Sequence, residues 1–317
     1  MIEGLVARVE SGDDDAVEEL ADIAAADPDA LAPYHLRLMN AGAFWRESAL
    51  YRGADEEFQR AVVARIESGG SEWPGRLAYV LAQTRGHVAE EAFRRWTESP
   101  PTAPDFDPYQ RGVAALIRDG GWELSADGVR ELCGASAYRL VPEQGGDDRT
   151  GDTCPWCGSP LWAALDLDTA DPRVADALAH THWQGRLRIA TCHLCSCYGT
   201  TYCEVTDDGG ATWSAHNERP EYLPGGGAEE PPRIRFTPGE RRPTPHLASA
   251  WDREGSTLGG CPDWIQDPAY TDCPKCGMAM DYVGLVGGAD LFDYGEGAYY
   301  LFVHTQCGLA AVEYQQS

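Results

Sequence analysis

Seven of the eleven cysteines, together with one histidine, fall into four closely spaced pairs along the chain. The first two pairs are Cys154-Pro-Trp-Cys157 and Cys192-His-Leu-Cys195. A loop of this kind holds two thiolates about one tetrahedron edge apart, and two such loops complete the four-ligand set of a structural zinc ion. The sequence therefore predicts a zinc site, called site 1, with the ligands Cys154, Cys157, Cys192 and Cys195.

The same arrangement recurs closer to the end of the sequence. Cys273-Pro-Lys-Cys276 is followed by a glycine, as the first pair of site 1 is, and His304-Thr-Gln-Cys307 supplies the second pair. An apolar run follows the first pair of each copy, so we interpret the pattern as an internal duplication of a zinc-ribbon-like unit. The predicted ligands of this second site, called site 2, are Cys273, Cys276, His304 and Cys307. The cofactor expected is zinc, two ions per chain.

Other interpretations of these residues stay open at this stage. A CxxC pair can be a redox motif, and Cys197 lies close enough to site 1 to replace one of its ligands. His180 and His182 could chelate a metal, although a loop facing solvent is the favoured interpretation. Because disulfides are rare in cytosolic proteins, the remaining cysteines are expected to be reduced thiols in the core. They are Cys133, Cys203 and Cys261.

The elements that must position these ligands divide into two sequence regions. Residues 1–134 are predicted to form a helical domain, because apolar residues recur at three- and four-residue spacing. Short helices with short loops are typical of HEAT-like helix pairs, but no fixed period is found, and an irregular bundle is the alternative. The fold class predicted is α+β.

Residues 135–317 are predicted to be the duplicated zinc-binding β-rich domain, because short aromatic and β-branched runs lie between Gly, Pro and Asp residues. Within it, residues 220–246 are rich in proline and glycine and are predicted to be a linker or a long surface loop. The predicted strands are Ala137–Val141, Leu161–Leu167, Leu187–Thr191, Tyr198–Val205, Met280–Val286, Tyr299–Val303 and Leu309–Tyr314.

Acidic residues outnumber basic residues by 51 to 25, and the formal net charge is −26. Such a surface repels nucleic-acid phosphates and anionic lipids, so we expect neither a nucleic-acid nor a membrane partner. A protein partner with a basic surface fits this charge. The first residues lack a basic flank ahead of an apolar stretch, which predicts no signal peptide and a cytoplasmic location.

Three stretches of the sequence carry a family resemblance: Leu258-Gly-Gly-Cys-Pro-Asp-Trp-Ile-Gln to Asp267, the Cys273–Gly277 knuckle, and residues 300–317. Together they resemble the YwqG-like family of bacterial proteins (domain of unknown function 1963). The resemblance covers residues 258–317 and implies a duplicated, β-rich fold for this part of the chain. Residues 136–257 match only through the duplicated knuckle, and the helical region lies outside. Family knuckles often carry Cys where His304 stands. The family implies no established activity, although its members often lie near toxin or effector genes.

Three functions remain compatible with the sequence. The favoured hypothesis is a zinc-stabilised protein-interaction module, either an adaptor or a toxin-neutralising protein of the immunity type. The second is a metalloenzyme in which one zinc ion keeps an open coordination position. The third is a scaffold role without a dedicated partner. No catalytic residue is predicted, because the sequence contains no nucleophile elbow, zincin helix or phosphate-binding loop.

Overall fold

The computed structural model describes residues 1–44, 47–69, 73–103, 105–107, 111–125, 128–145, 149–225, 227–244, 248–249, 255–292 and 295–316. The chain divides into two compact units, Met1–Glu131 and Leu132–Ser317. The first unit is mainly helical and the second is mainly antiparallel sheet, so the predicted α+β class is confirmed. Among the described residues, no helix combines the length and apolar character needed to cross a membrane.

The helices of the first unit are short and amphipathic. In the fifth helix, the Asp55 side chain accepts a hydrogen bond from the Phe58 amide at 2.8 Å, which caps the helix, and Phe58, Val62 and Ile66 form its buried face. The described helices are α1 (Ile2–Glu10), α2 (Asp15–Ala26), α3 (His35–Asn40), α4 (Glu47–Leu50), α5 (Glu56–Glu67), α6 (Pro74–Thr84), α7 (His87–Glu98) and α8 (Val113–Asp119).

The first unit also contains a β-hairpin where the sequence analysis predicted only helices. Strands β1 (Trp122–Ser125) and β2 (Gly128–Glu131) pair antiparallel. The Trp122 side chain is buried, and its indole nitrogen donates to the Ala82 carbonyl at 2.8 Å. This hydrogen bond and the buried indole ring attach the hairpin to α6.

The second unit is built from strands that form one large sheet and two smaller ones. The described strands are β3 (Ala137–Gln144), β4 (Arg149–Thr153), β5 (Pro160–Asp168), β6 (Arg186–Thr191), β7 (Thr201–Val205), β8 (Ala211–Trp213), β9 (Ile234–Arg241), β10 (Ala248–Ser249), β11 (Thr257–Gly259), β12 (Pro262–Asp263), β13 (Asp281–Gly287), β14 (Ala298–His304) and β15 (Leu309–Gln315). In the large sheet, eight of them pair antiparallel in the order β8-β7-β15-β14-β13-β11-β3-β9. Strands β4, β5 and β6 form a second antiparallel sheet, and β10 pairs with β12. Two short helices, α9 (Pro172–Ala177) and α10 (Gly288–Leu291), complete this unit.

The central strand β14 is buried on both faces, which explains its uninterrupted apolar sequence. On one face Tyr299 contacts Trp162 of β5, with ring centroids 5.4 Å apart, so the small sheet packs on the large one. On the other face Tyr300 stacks on Trp264, with ring centroids 4.6 Å apart. Both rings belong to a second core cluster that also contains Phe302. Strands are present at all seven predicted positions.

The prediction that residues 220–246 form only a linker or loop is wrong for part of that range. Residues 234–241 form β9, the edge strand that pairs with β3. Ile234 and Phe236 are buried while Arg235 between them is exposed, which is the alternation of a half-buried strand. The proline and glycine content of the segment led to the loop prediction, but an edge strand tolerates Pro238 because the backbone on its outer side has no strand to pair with. The predicted linker residues 226, 245 and 246 lie outside the described part of the chain.

The prediction that Cys133 and Cys261 are reduced core thiols is also wrong. Both side chains are buried, and their sulfurs form a disulfide bond. Beside the bonded cysteines, the Gly134 amide donates to the Gly260 carbonyl at 3.0 Å and the Gly260 amide donates to the Ser136 carbonyl at 2.8 Å, which holds the two segments together. The pairing joins residues 128 positions apart, and sequence spacing alone cannot identify such a connection.

Candidate metal centres

Site 1 forms at one end of the β5–β6 hairpin. Cys154 and Cys157 lie in the loop between β4 and β5, and Cys192 and Cys195 follow the end of β6. Because β5 and β6 are antiparallel, the start of one strand lies beside the end of the other. The hairpin thus brings the two cysteine pairs together, as the sequence predicts.

The first loop of site 1 is a tight knuckle fixed by its own backbone. The Cys154 amide donates to the Ser159 carbonyl at 2.8 Å, and the Gly158 amide donates to the Cys154 carbonyl at 2.9 Å. Gly158 has φ 79°, a conformation that favours glycine. This turn holds both sulfurs on the same side of the loop.

The four sulfurs of site 1 have the spacing of a tetrahedral zinc site. The Cys154 and Cys195 sulfurs are 3.8 Å apart, the Cys157 and Cys192 sulfurs are 3.5 Å apart, and all four lie within 4.8 Å of one another. A zinc ion with four sulfurs at about 2.3 Å has sulfur–sulfur edges of about 3.8 Å. The group therefore has the ligand number and approximate spacing that a zinc ion requires.

Apolar side chains cover site 1. Three of its cysteines are buried, and Leu161, Leu223 and Trp213 belong to the same cluster. Trp156, which lies inside the knuckle, packs edge-on against Trp213 with ring centroids 5.0 Å apart. The proline- and glycine-rich segment supplies part of this cover, because the Glu229 amide donates to the Ser159 hydroxyl at 3.0 Å.

The thiols of site 1 cannot all ionise unless a cation is present. A hydrogen bond with Cys192 is the main cause that lowers the pKa of Cys154 to about 5, whereas that same bond and burial raise the pKa of Cys192. Burial and the charge on Cys154 raise the pKa of Cys195 to about 12. Four thiolates so close together repel one another, so a divalent cation is the species that would hold them all deprotonated.

Site 2 repeats the knuckle of site 1 on different strands. The Cys273 amide donates to the Met278 carbonyl at 2.8 Å, and the Gly277 amide donates to the Cys273 carbonyl at 2.7 Å. Gly277 has φ 77°, close to the value at Gly158. The second ligand pair, His304 and Cys307, lies at the end of β14 and in the turn that follows it.

The ligand atoms of site 2 also have tetrahedral spacing. The Cys276 sulfur lies 3.6 Å from Nε2 of His304, and the four ligand atoms lie within 4.8 Å of one another. Zinc–nitrogen and zinc–sulfur bonds of about 2.0–2.1 and 2.3 Å give a tetrahedral edge of about 3.6 Å. Burial, followed by the neighbouring thiols, raises the pKa of Cys307 to about 11.

The strands that follow the two sites are neighbours in the large sheet. Strand β7 follows site 1, β15 follows site 2, and the two pair antiparallel with Thr201 opposite Val312. Lys275, inside the site 2 knuckle, binds the Glu204 carboxylate of β7 and donates to the Cys307 carbonyl at 2.9 Å. The strand that follows site 1 is therefore joined to site 2 by an ion pair and to the strand that follows site 2 by main-chain pairing.

The structure brings together all eight predicted ligands in two groups and leaves the alternative ligands outside them. Cys197 donates to the His193 carbonyl at 3.3 Å and is not in the site 1 group. His180 is half-buried and its Nε2 bonds with the Tyr282 carbonyl at 2.8 Å, whereas His182 is exposed. No local pattern points to the role of Lys275, since its partner Glu204 is distant along the chain.

No protein-family model and no solved structure matches the chain. The chain is 29% identical over 283 residues to a protein of Salmonella typhimurium (strain LT2) described as uncharacterized protein YpfL. The match covers 84% of this chain and 64% of that relative, so the chain spans 64% of the relative's length. This description mentions no ligand or activity, and the functional argument therefore depends on the geometry of the two sites.

Proposed function

We propose that the second unit is a zinc-stabilised protein-interaction module that holds two structural zinc ions and binds a protein with a basic surface, as an adaptor or a toxin-neutralising protein. The observation that carries the proposal is that each of the two groups brings four ligand atoms within 4.8 Å. Sites with four protein ligands are closed, and closed zinc sites stabilise folds.

The same observation argues against the alternative, a metalloenzyme with one open coordination position. A catalytic zinc ion usually has three protein ligands, and its fourth position takes water or substrate. Both groups here offer a fourth protein atom, His304 in site 2 and a cysteine in site 1. The closed arrangement is therefore the one we propose for both ions.

The proposal includes an internal duplication of the metal-binding unit. The two knuckles share their backbone hydrogen bonds and a glycine with positive φ, at Gly158 and Gly277. Each knuckle precedes an antiparallel hairpin, β5–β6 in one copy and β13–β14 in the other. The antiparallel pairing of β7 with β15 is what two copies related by a local two-fold axis would make. These features support membership of the YwqG-like family as part of the proposal.

The charge of the surface supports a basic partner. Many arginines are held in ion pairs within their own unit, such as Arg37 with Glu3 and Glu10. Because acidic residues outnumber basic ones by 51 to 25, a large excess of carboxylates remains after such pairing. A negative field of this kind accelerates encounter with a positively charged protein.

The closed-site part of the proposal is tested by replacing zinc with Co²⁺ in the full chain. We expect two cobalt ions, with the ligand-field and charge-transfer absorption of tetrahedral centres rich in thiolate, and no change in these bands when a competing anion such as azide is added. Bands that shift with azide would show an open position and would favour the metalloenzyme.

The partner part is tested by purifying the tagged chain from its source cells. A Cys157→Ser variant and a Cys197→Ser control are purified in parallel. We expect a basic protein to copurify with the wild type and the control, to be lost with Cys157→Ser, and to dissociate at high salt because exposed charges are screened beyond about 8–10 Å. Copurifying proteins that are acidic, or that stay bound at high salt, would contradict this part.

A further inference from the structure

The two sites use equivalent knuckles but expose them differently to solvent. In site 1, Cys157 is only half-exposed, and Trp156 beside it is held against Trp213. In site 2, Cys276 is exposed, as are all the described residues at 274–278. Cys276 is therefore more open to a small solute than Cys157, its counterpart in site 1.

Cys276 also has the chemical partners that oxidation to a disulfide requires. Thiolates are the nucleophilic form of cysteine, and a zinc ion holds its cysteine ligands as thiolates. Two further thiols, those of Cys273 and Cys307, lie within 4.8 Å in the same group.

We propose that Cys276 is a modification site for hydroperoxides and that its oxidation releases the zinc ion of site 2. This inference rests on the proposed function, because it requires zinc in site 2. In the first step the Cys276 thiolate sulfur attacks a peroxide oxygen and the oxygen–oxygen bond breaks. The products are a sulfenic acid on Cys276 and a hydroxide (from hydrogen peroxide) or an alkoxide (from an organic hydroperoxide), which takes a proton from water.

In the second step one of the two neighbouring thiolates attacks the sulfenic sulfur. A disulfide forms, the sulfur–oxygen bond breaks, and hydroxide leaves. In total two thiolates lose two electrons and one hydroperoxide gains them, while the zinc ion keeps its charge. Only His304 and one thiolate remain as ligands, and a two-ligand site no longer retains the ion.

Site 1 is protected from the same chemistry by its packing. Cys154, Cys192 and Cys195 are buried, and the apolar cluster with Trp213 and Leu223 covers them. The expected result is therefore selective: one zinc ion leaves and the other stays.

The experiment treats the full-length zinc protein with hydrogen peroxide and measures released zinc with a chromogenic chelator. Zinc is counted before treatment, and oxidised cysteines are mapped by peptide mass spectrometry. We expect one zinc equivalent to leave at least about tenfold faster than the other, together with a disulfide that includes Cys276. A count below two zinc ions before treatment would contradict the proposed function itself. Two ions that are released together, or not at all, would overturn only this inference.

Two variants sharpen the test. Cys276→His keeps a zinc-compatible ligand in place of the exposed thiolate, so we expect it to hold two ions and to slow the fast release at least about tenfold. Cys197→Ser removes an exposed thiol outside both groups and should leave the release unchanged. Release from Cys276→His at the wild-type rate would overturn the inference. If Cys276→His fails to hold the second ion, the wild-type peptide map decides, because fast release without oxidised Cys276 contradicts the proposal.

Discussion

Site 1 and site 2 show how one sequence motif acquires different properties from its surroundings. Both begin with a Cys-Pro-X-Cys-Gly knuckle that has the same backbone hydrogen bonds. Site 1 is enclosed by Trp156, Trp213 and Leu223, whereas the site 2 knuckle faces solvent and is linked to β7 by Lys275. The ligand spacing determines which metal fits, and the packing around the knuckle determines how firmly that metal is held.

The largest expected effect on stability comes from replacing equivalent ligands, Cys157 in site 1 and Cys276 in site 2. Cys157→Ser should abolish zinc binding at site 1 and unfold the surrounding β structure, because a structural zinc ion contributes on the order of 10 kcal/mol to folding in isolated fingers. Cys276→Ser should be milder, because residues 274–278 of its knuckle are exposed, whereas Cys157 is half-buried beside the Trp156–Trp213 contact.

Near-ultraviolet circular dichroism and thermal unfolding of both variants measure this difference, with Cys197→Ser as the matched control outside the two groups. A larger loss of stability in Cys276→Ser than in Cys157→Ser would reverse the comparison.

The second prediction concerns Asp166, a charged residue of the β5–β6 hairpin. Burial tends to raise the pKa of Asp166, but hydrogen bonds from Arg186 and Arg188 outweigh it and lower the pKa overall. Asp166→Asn should lower the free energy of unfolding by about 2–3 kcal/mol at neutral pH, since bonds between charged groups are lost.

The pH dependence follows from the direction of this shift. A carboxyl whose folded-state pKa is lowered stabilises the protein above its unfolded-state pKa, and the stabilisation disappears as pH falls through the lowered value. The difference between wild type and Asp166→Asn in urea unfolding should therefore shrink below about pH 4. If the difference in the free energy of unfolding between wild type and Asp166→Asn grows on acidification, the lowered pKa of Asp166 is contradicted.

The third prediction tests the equivalence of the two knuckles. Gly158 and Gly277 have φ 79° and 77°, and a methyl group at either position would meet no atom closer than 4.0 Å. Alanine at either position should therefore cost about 1–2 kcal/mol through backbone strain alone. Chemical unfolding of Gly158→Ala and Gly277→Ala measures the two costs, and a marked inequality would argue against duplicated knuckles.

The smallest effect is expected for Lys275→Met. The ion pair of Lys275 with Glu204 is partly exposed, with side-chain exposures of 30% and 37%. Its loss should change the free energy of unfolding by only about 0–1 kcal/mol and should leave zinc content unchanged. Loss of a zinc ion from this variant would show that the lysine supports the metal site directly.

The sequence was most informative where chemistry requires fixed local spacing. The knuckles at Cys154 and Cys273 and the apolar runs of β5 and β14 are local features, and the structure has them where they were predicted. The eight predicted ligands assemble because each pair lies at a strand end, next to a hairpin partner.

Features that depend on distant residues could not be predicted in this way. Strand β9 exists because β3 offers it an edge, and its Pro238 points to a loop when read locally. The Cys133–Cys261 disulfide joins segments far apart in the chain. His193, which lies between Cys192 and Cys195, is buried, and its carbonyl accepts a hydrogen bond from the hydroxyl of the distant Tyr299 of β14 at 3.1 Å.

The central claim is that the chain holds two zinc ions in two separate closed sites, and native mass spectrometry of the full-length protein tests it most directly. The account predicts two zinc ions in the wild type and in Cys197→Ser, and one in Cys276→Ser with the site 1 ion retained. A wild-type protein that carries one zinc ion or none after purification in excess zinc would contradict the account.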